Sequence, residues 1–167
     1  DSAGSLEAGS LSTTGGDLNV TGELLTEELS VAGAIRIGGK TTATNISASS
    51  DASFGQGLEC TELLVEGNLL LGGPARARGI VSHGKEIIVK QSLEVVEIFA
   101  EDSSIQLEGD TQIQLLRARA ISIGGNENKI KALQAQESIS ISEGFIMSDV
   151  MIAPKVEMHP QARGRIM

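Results

Sequence analysis

Apolar residues recur along this chain in pairs spaced i and i+2, and the pairs themselves return about every 17 residues. One column of pairs runs Leu18/Val20, Ile35/Ile37, Ala52/Phe54, Leu69/Leu71, Ile87/Val89, Ile105/Leu107, Ile121/Ile123, Ile139/Ile141 and Val156/Met158. Its steps are 17, 17, 17, 18, 18, 16, 18 and 17 residues. Side chains at i and i+2 lie on the same side of a β-strand, so each pair predicts a short strand. A second column is Leu29/Val31, Ile46/Ala48, Leu63/Val65, Ile80/Ser82 and Ile98/Ala100, and a third is Leu24/Thr26, Thr41/Ala43, Leu58/Cys60, Ala75/Ala77 and Leu93/Val95. Strand starts within one period therefore fall about 6, 5 and 6 residues apart, which gives three strands per turn. Glycines follow several pairs (Gly22, Gly39, Gly55, Gly72, Gly124), where a strand has to turn a corner.

A repeat of this length decides the architecture before any local reading does. One turn cannot bury its inward residues alone, but stacked turns bury them against each other. The expectation is an all-β fold, a single-stranded triangular β-helix of about 17 residues per turn and roughly nine turns. It is placed over residues 11–158, between a flexible segment at 1–10 and a tail at 159–167. Leu6 and Leu11 precede Leu24 and Leu29 by one period, so a partial first turn is expected to begin there. Longer corners are expected at Glu101–Ser104 and Gly124–Asn128. The run from Asn128 to Glu137 has helical propensity, but Ile130 fits the column system, which favours a strand; a short C-terminal helix stays open as the alternative.

Composition agrees with a narrow stacked interior. Only three Phe and no Trp or Tyr occur among 167 residues, so the core is built from Leu, Ile, Val and Ala. The net charge of −9 supplies no basic field for nucleic acid, which is excluded as a partner. The single cysteine, Cys60, rules out an intramolecular disulfide and occupies an inward position, where it is expected to pack as a small apolar residue. A reducing, cytoplasmic setting is the expectation, with membrane association left open. Asp1 to Ser10 is neither basic nor apolar.

The 17-residue, three-strand turn, the scarcity of aromatics and short units of the type Leu-x-Val-x-Gly resemble the bactofilins, polymer-forming cytoskeletal proteins. The units here are Leu18–Gly22, Leu29–Gly33, Leu63–Gly67 and Ile105–Gly109. The resemblance covers roughly residues 18–158. It implies a right-handed β-helix that polymerises end to end into nonpolar filaments without nucleotide. It also implies flanking tails as sites for membrane or protein partners, and a phenylalanine near the C-terminal end of the core in polymer contacts. Phe145 is the nearest candidate for that residue.

Nothing in the chain assembles a catalytic or cofactor motif. His83 and His159 have no Cys, His or carboxylate at metal-ligand spacing. Walker, Rossmann and nucleophile-elbow patterns are missing from the sequence. No cofactor, metal or catalytic residue is therefore expected, and the chain is read as a non-enzyme. Arg76, Arg78, Arg117 and Arg119 alternate with alanines and so point outward, as a candidate basic patch; a solvated, charge-balanced face is the plainer reading. Glu59, one period before Arg76, is the expected ion partner. The sequons at Asn19 and Asn45 are better explained by polar residues alternating with inward apolar ones. Open solenoid ends expose strand edges and core, so self-association through the ends is the favoured function. A surface-exposed adhesin or binding rod is the alternative, and a hexapeptide-type transferase, which uses 18-residue turns, comes last.

Overall fold

The computed structural model describes residues 4–166, and every strand pairing in it is parallel. Nineteen strands form one continuous stack, with no helix among the described residues. The stack has three faces. Face I carries, rung by rung, Leu6, Leu24, Thr41, Leu58, Ala75, Leu93, Thr111, Asn128, Ile146 and Gly164. Face II carries Leu11, Leu29, Ile46, Leu63, Ile80, Ile98, Leu116, Leu133 and Met151. Face III carries Leu18, Ile35, Ala52, Leu69, Ile87, Ile105, Ile121, Ile139 and Val156. The nine-member column read from the sequence is face III, pair for pair, with the expected steps. At about 4.8 Å per rung the rod is on the order of 40 Å long.

Inward pairs on successive rungs cover each other, so Ile35, Val65, Val89, Leu107 and Ile123 are wholly buried. Only one of the three phenylalanines, Phe54, is inside. Apart from Thr41, the polar residues buried at inward positions are hydrogen-bonded. The Thr111 hydroxyl and the Asn128 amide oxygen lie 2.9 Å apart, and the Asn128 amide nitrogen donates to the Gly125 carbonyl at 2.8 Å. Ser103, fully buried at the corner after Ala100, donates to the Gly84 carbonyl at 2.6 Å. The rungs shift register there, between Ala100 and Ser104, and again between Ala118 and Ala120. These shifts absorb the 16-residue step from Ile105 to Ile121 and the 18-residue step from Ile121 to Ile139. The segment from Glu127 to Ile141 is a strand, as the column system required.

Corners are tied to the rung above by side chains. Asp17 Oδ1 accepts the Ala34 N–H at 2.9 Å, Asp51 Oδ1 accepts that of Asn68 at 2.8 Å, and Asn68 Oδ1 accepts those of Lys85 and Glu86 at 3.1 Å. The close approach needs glycine. A Cβ on Gly33 would stand 2.6 Å from Asp17 Oδ1, and one on Gly67 would stand 2.5 Å from Asp51 Oδ1.

The stack extends beyond the boundaries expected at residues 11 and 158. Leu6–Thr13 is one strand paired along its length with Leu24–Val31, so residues 6–10 belong to the first rung rather than to a flexible segment. Arg163–Ile166 pairs with Phe145–Ser148 and makes a tenth rung on face I, within what the sequence reading took as a tail. Gly164 occupies the inward column there, and a residue without a side chain hides the period. The ends of the expected flanking segments, residues 1–3 and 167, lie outside the described residues.

Candidate assembly surfaces

The two ends of the rod differ. At the N-terminal end, Leu6 and Leu11 sit on the first rung, half-buried against the core. The strand Leu6–Thr13 pairs on one side only among the described residues. At the C-terminal end, Val156 and Met158 continue the inward column of Ile139 and Ile141. Ile139 is 0% exposed, whereas Val156 is 46% and Met158 49% exposed, because no rung among the described residues lies above them. Val150 and Ile152 on the last rung of face II are also exposed. Among the described residues, five of the seven exposed large apolar ones fall between Phe145 and Met158. Among the described residues, the strands Val150–Ile152 and Lys155–Met158 pair only downward, with Glu127–Ile141, which leaves an open core bounded by free strand edges.

Phe145 faces outward on face I, one rung below the last, with 39% exposure. It lies at the rim of this end rather than on its edge, because Arg163–Ile166 covers its strand.

The four arginines do not form one patch. Arg76 projects from face I and Arg78 from the corner after it, whereas Arg117 lies on face II and Arg119 at the next corner. Glu59 is the register neighbour of Arg76, but the expected ion pair is not made. Arg76 Nη2 binds Glu94 at 2.6 Å, on the following rung, and Glu59 binds Lys40 Nζ at 3.4 Å. Arg119 Nη2 donates to Ser104 Oγ at 2.8 Å, and its Nη1 lies 3.9 Å from Glu137. Arg117 has no carboxylate partner among the described residues; its guanidinium lies over the Phe99 ring, 5.7 Å from the centroid. A groove of about 600 Å³ runs along face I past Lys40, Glu59, Arg76, Glu94, Gln112 and Lys129. Its charges are largely paired with each other.

Burial, with Glu62 adding to it, pushes the Cys60 thiol up to about 12, so it stays protonated. The Ala34 N–H and the Arg36 guanidinium hold Asp17 below its ordinary 3.8. His83 and His159 are exposed, and no group of three metal-ligating side chains occurs among the described residues. No helix among the described residues is long and apolar enough to cross a membrane.

The sequence reading missed the outward apolar residues of face II. Their signal was present as runs in which odd and even positions are both apolar, such as Leu63-Leu64-Val65, Ile80-Val81, Ile98-Phe99-Ala100 and Leu115-Leu116. Comparison with known proteins finds no matching family model, no matching curated protein and no matching solved structure.

Proposed function

We propose that this chain is a structural, cytoskeleton-like subunit that assembles end to end, each solenoid continuing the sheets and core of its neighbour without nucleotide. The observation that carries this reading is the exposure of Val156 and Met158 in a column that is otherwise sealed, beside strand edges with no partner among the described residues. An end-on neighbour would complete those edges and remove apolar surface from water. For half-exposed side chains of this size the gain is about 1 kcal/mol each. The likeness of the repeat to the bactofilins belongs to the same proposal. So do a cytoplasmic setting, a non-catalytic role, and tails that serve membrane or protein contacts.

Negative-stain microscopy of the purified chain tests it, with Val156→Lys and Phe145→Arg as comparators. Filaments are expected for the unaltered chain. Val156→Lys should abolish them by setting a charge into the open core, while circular dichroism stays that of a β-solenoid. Single dispersed rods at high protein concentration, at every salt level, would sink the reading. The groove on face I favours a second reading, a rod that binds a ligand along its side. Saturable ligand binding by dispersed rods would favour it.

A further inference from the structure

The outward position that follows face I on each rung forms a column at the corner with face II. From the fourth rung to the ninth it reads Thr61, Arg78, Val96, Gln114, Lys131 and Asp149. A second groove, of about 820 Å³, runs along this column and shares Arg76, Glu94, Gln112 and Lys129 with the groove on face I. From Lys40 on the third rung to Asp149 on the ninth, the two together run six rung spacings, roughly 29 Å. That shape suits an elongated ligand laid along the rod better than a compact one.

Charge sets this groove apart from the rest of the molecule. Four cations line it, Arg76, Arg78, Lys129 and Lys131, against two carboxylates, Glu94 and Asp149, on a chain whose net charge is −9. Glu94 already holds Arg76. Arg78, Lys129 and Lys131 are exposed and in no ion pair among the described residues. Lys131 does not pair even with Asp149, its neighbour on the next rung. Between the cations stand Gln112 and Gln114, whose amides both donate and accept. No aromatic ring is among the described lining residues, so nothing there stacks a nucleic acid base.

We propose that this groove binds an acidic polysaccharide, laid along the corner column, whose carboxylates are set apart by neutral sugars. One carboxylate meets Arg78, and another meets Lys129 and Lys131, three rungs or roughly 14 Å further on. Over the neutral stretch between them, Gln112 and Gln114 meet sugar hydroxyls, which also donate and accept. A densely sulfated or phosphorylated chain would set its crowded charges against Glu94 and Asp149. An acidic peptide is poorly served for a different reason. The backbone groups of face I are already paired from rung to rung, so a peptide in the groove finds no ladder for its own N–H and C=O groups. A neutral glycan would leave the three free cations without a counter-charge. The proposal rests on the reading of face I as a ligand-binding side and not on end-to-end assembly.

Isothermal titration calorimetry of the full chain with a hyaluronan oligosaccharide, in which uronic acids alternate with neutral sugars, tests it. Saturable binding that weakens as salt rises is expected. The carboxyl methyl ester of the same oligosaccharide should not bind. Arg78→Glu with Lys131→Glu should lower the affinity roughly tenfold. Lys85→Glu with Lys90→Glu makes the same charge change at exposed lysines outside the groove and should leave the affinity within about twofold. Equal losses in the two pairs, or an ester that binds as tightly as the acid, overturn the proposal. Tighter binding of polyglutamate or heparin keeps a ligand-binding side but overturns the polysaccharide with spaced carboxylates. No binding of any of the three removes both the proposal and the side-binding reading. Microscopy of the same samples reports on filaments separately.

Discussion

Most residues in this protein are decided by whether they point into or out of one narrow core, and a few keep a cost. Thr41 sits in the inward column of face I, fully buried, and its hydroxyl has no hydrogen-bond partner. Thr41→Val keeps the shape and removes the stranded oxygen. It should stabilise the chain by about 1 kcal/mol in a denaturant titration, and a loss of stability would show that the hydroxyl has a partner in solution. Asp17 is the opposite case, an exposed carboxylate held charged by the Ala34 N–H and Arg36. Its folded value is depressed, so its contribution is complete above the ordinary 3.8 and fades as pH falls through the folded value. Asp17→Asn should therefore melt below the unaltered chain at neutral pH, and the gap should close on acidification well past 3.8. A gap that stays constant across a melting series in pH would contradict this.

At the scale of a strand and its corner, stability lies in the step from one rung to the next. The same device recurs, an Asp or Asn at a corner accepting backbone N–H groups of the rung above, with glycine leaving room for the carboxylate. Gly67→Ala would drive a Cβ into Asp51 Oδ1 and the Asp51 backbone nitrogen, 2.5 and 2.6 Å away. It should cost about 1–3 kcal/mol in thermal denaturation. Gly9→Ala, which meets open space, should be close to neutral and serves as the comparison. Equal effects at the two sites would mean that glycine 67 is not there for the approach of Asp51.

The whole molecule is a one-dimensional stack in which each turn touches only its neighbours. Removing one complete period should therefore leave a shorter rod. Deletion of residues 52–68 joins Asp51 to Leu69 and keeps all three columns in register, since the steps there are 17 residues. The product should keep its β-type circular dichroism and a cooperative melt at a modestly lower temperature. Deletion of residues 52–59 instead puts inward residues outside and should yield an unfolded chain. If both deletions fold, the columns are not what specifies the turn. The same one-dimensionality leaves surfaces that the stack does not close, and among the described residues the barest is the C-terminal end, where Val156 and Met158 are exposed.

The sequence by itself determined the turn. Its i, i+2 pairs and 17-residue period fix the three faces, the register of every face III rung and the inward place of Cys60, because a strand buries alternate residues and a solenoid repeats them. It also placed Val156 and Met158 at the end of their column. What it could not show is how exposed Val156 and Met158 are among the described residues, since exposure depends on what lies above a rung. Nor could it extend the stack to Arg163–Ile166, where a glycine stands in the inward column. Partnership across rungs was decided only in three dimensions. Register aligned Glu59 with Arg76, yet both neighbouring rungs compete for each long side chain, and Arg76 went upward to Glu94 while Lys40 reached Glu59. The four arginines read as one outward set in the chain were parted by the corners between faces I, II and III. Alternation tells a residue whether it is inside or outside, but only the corners tell it which side of the rod it is on.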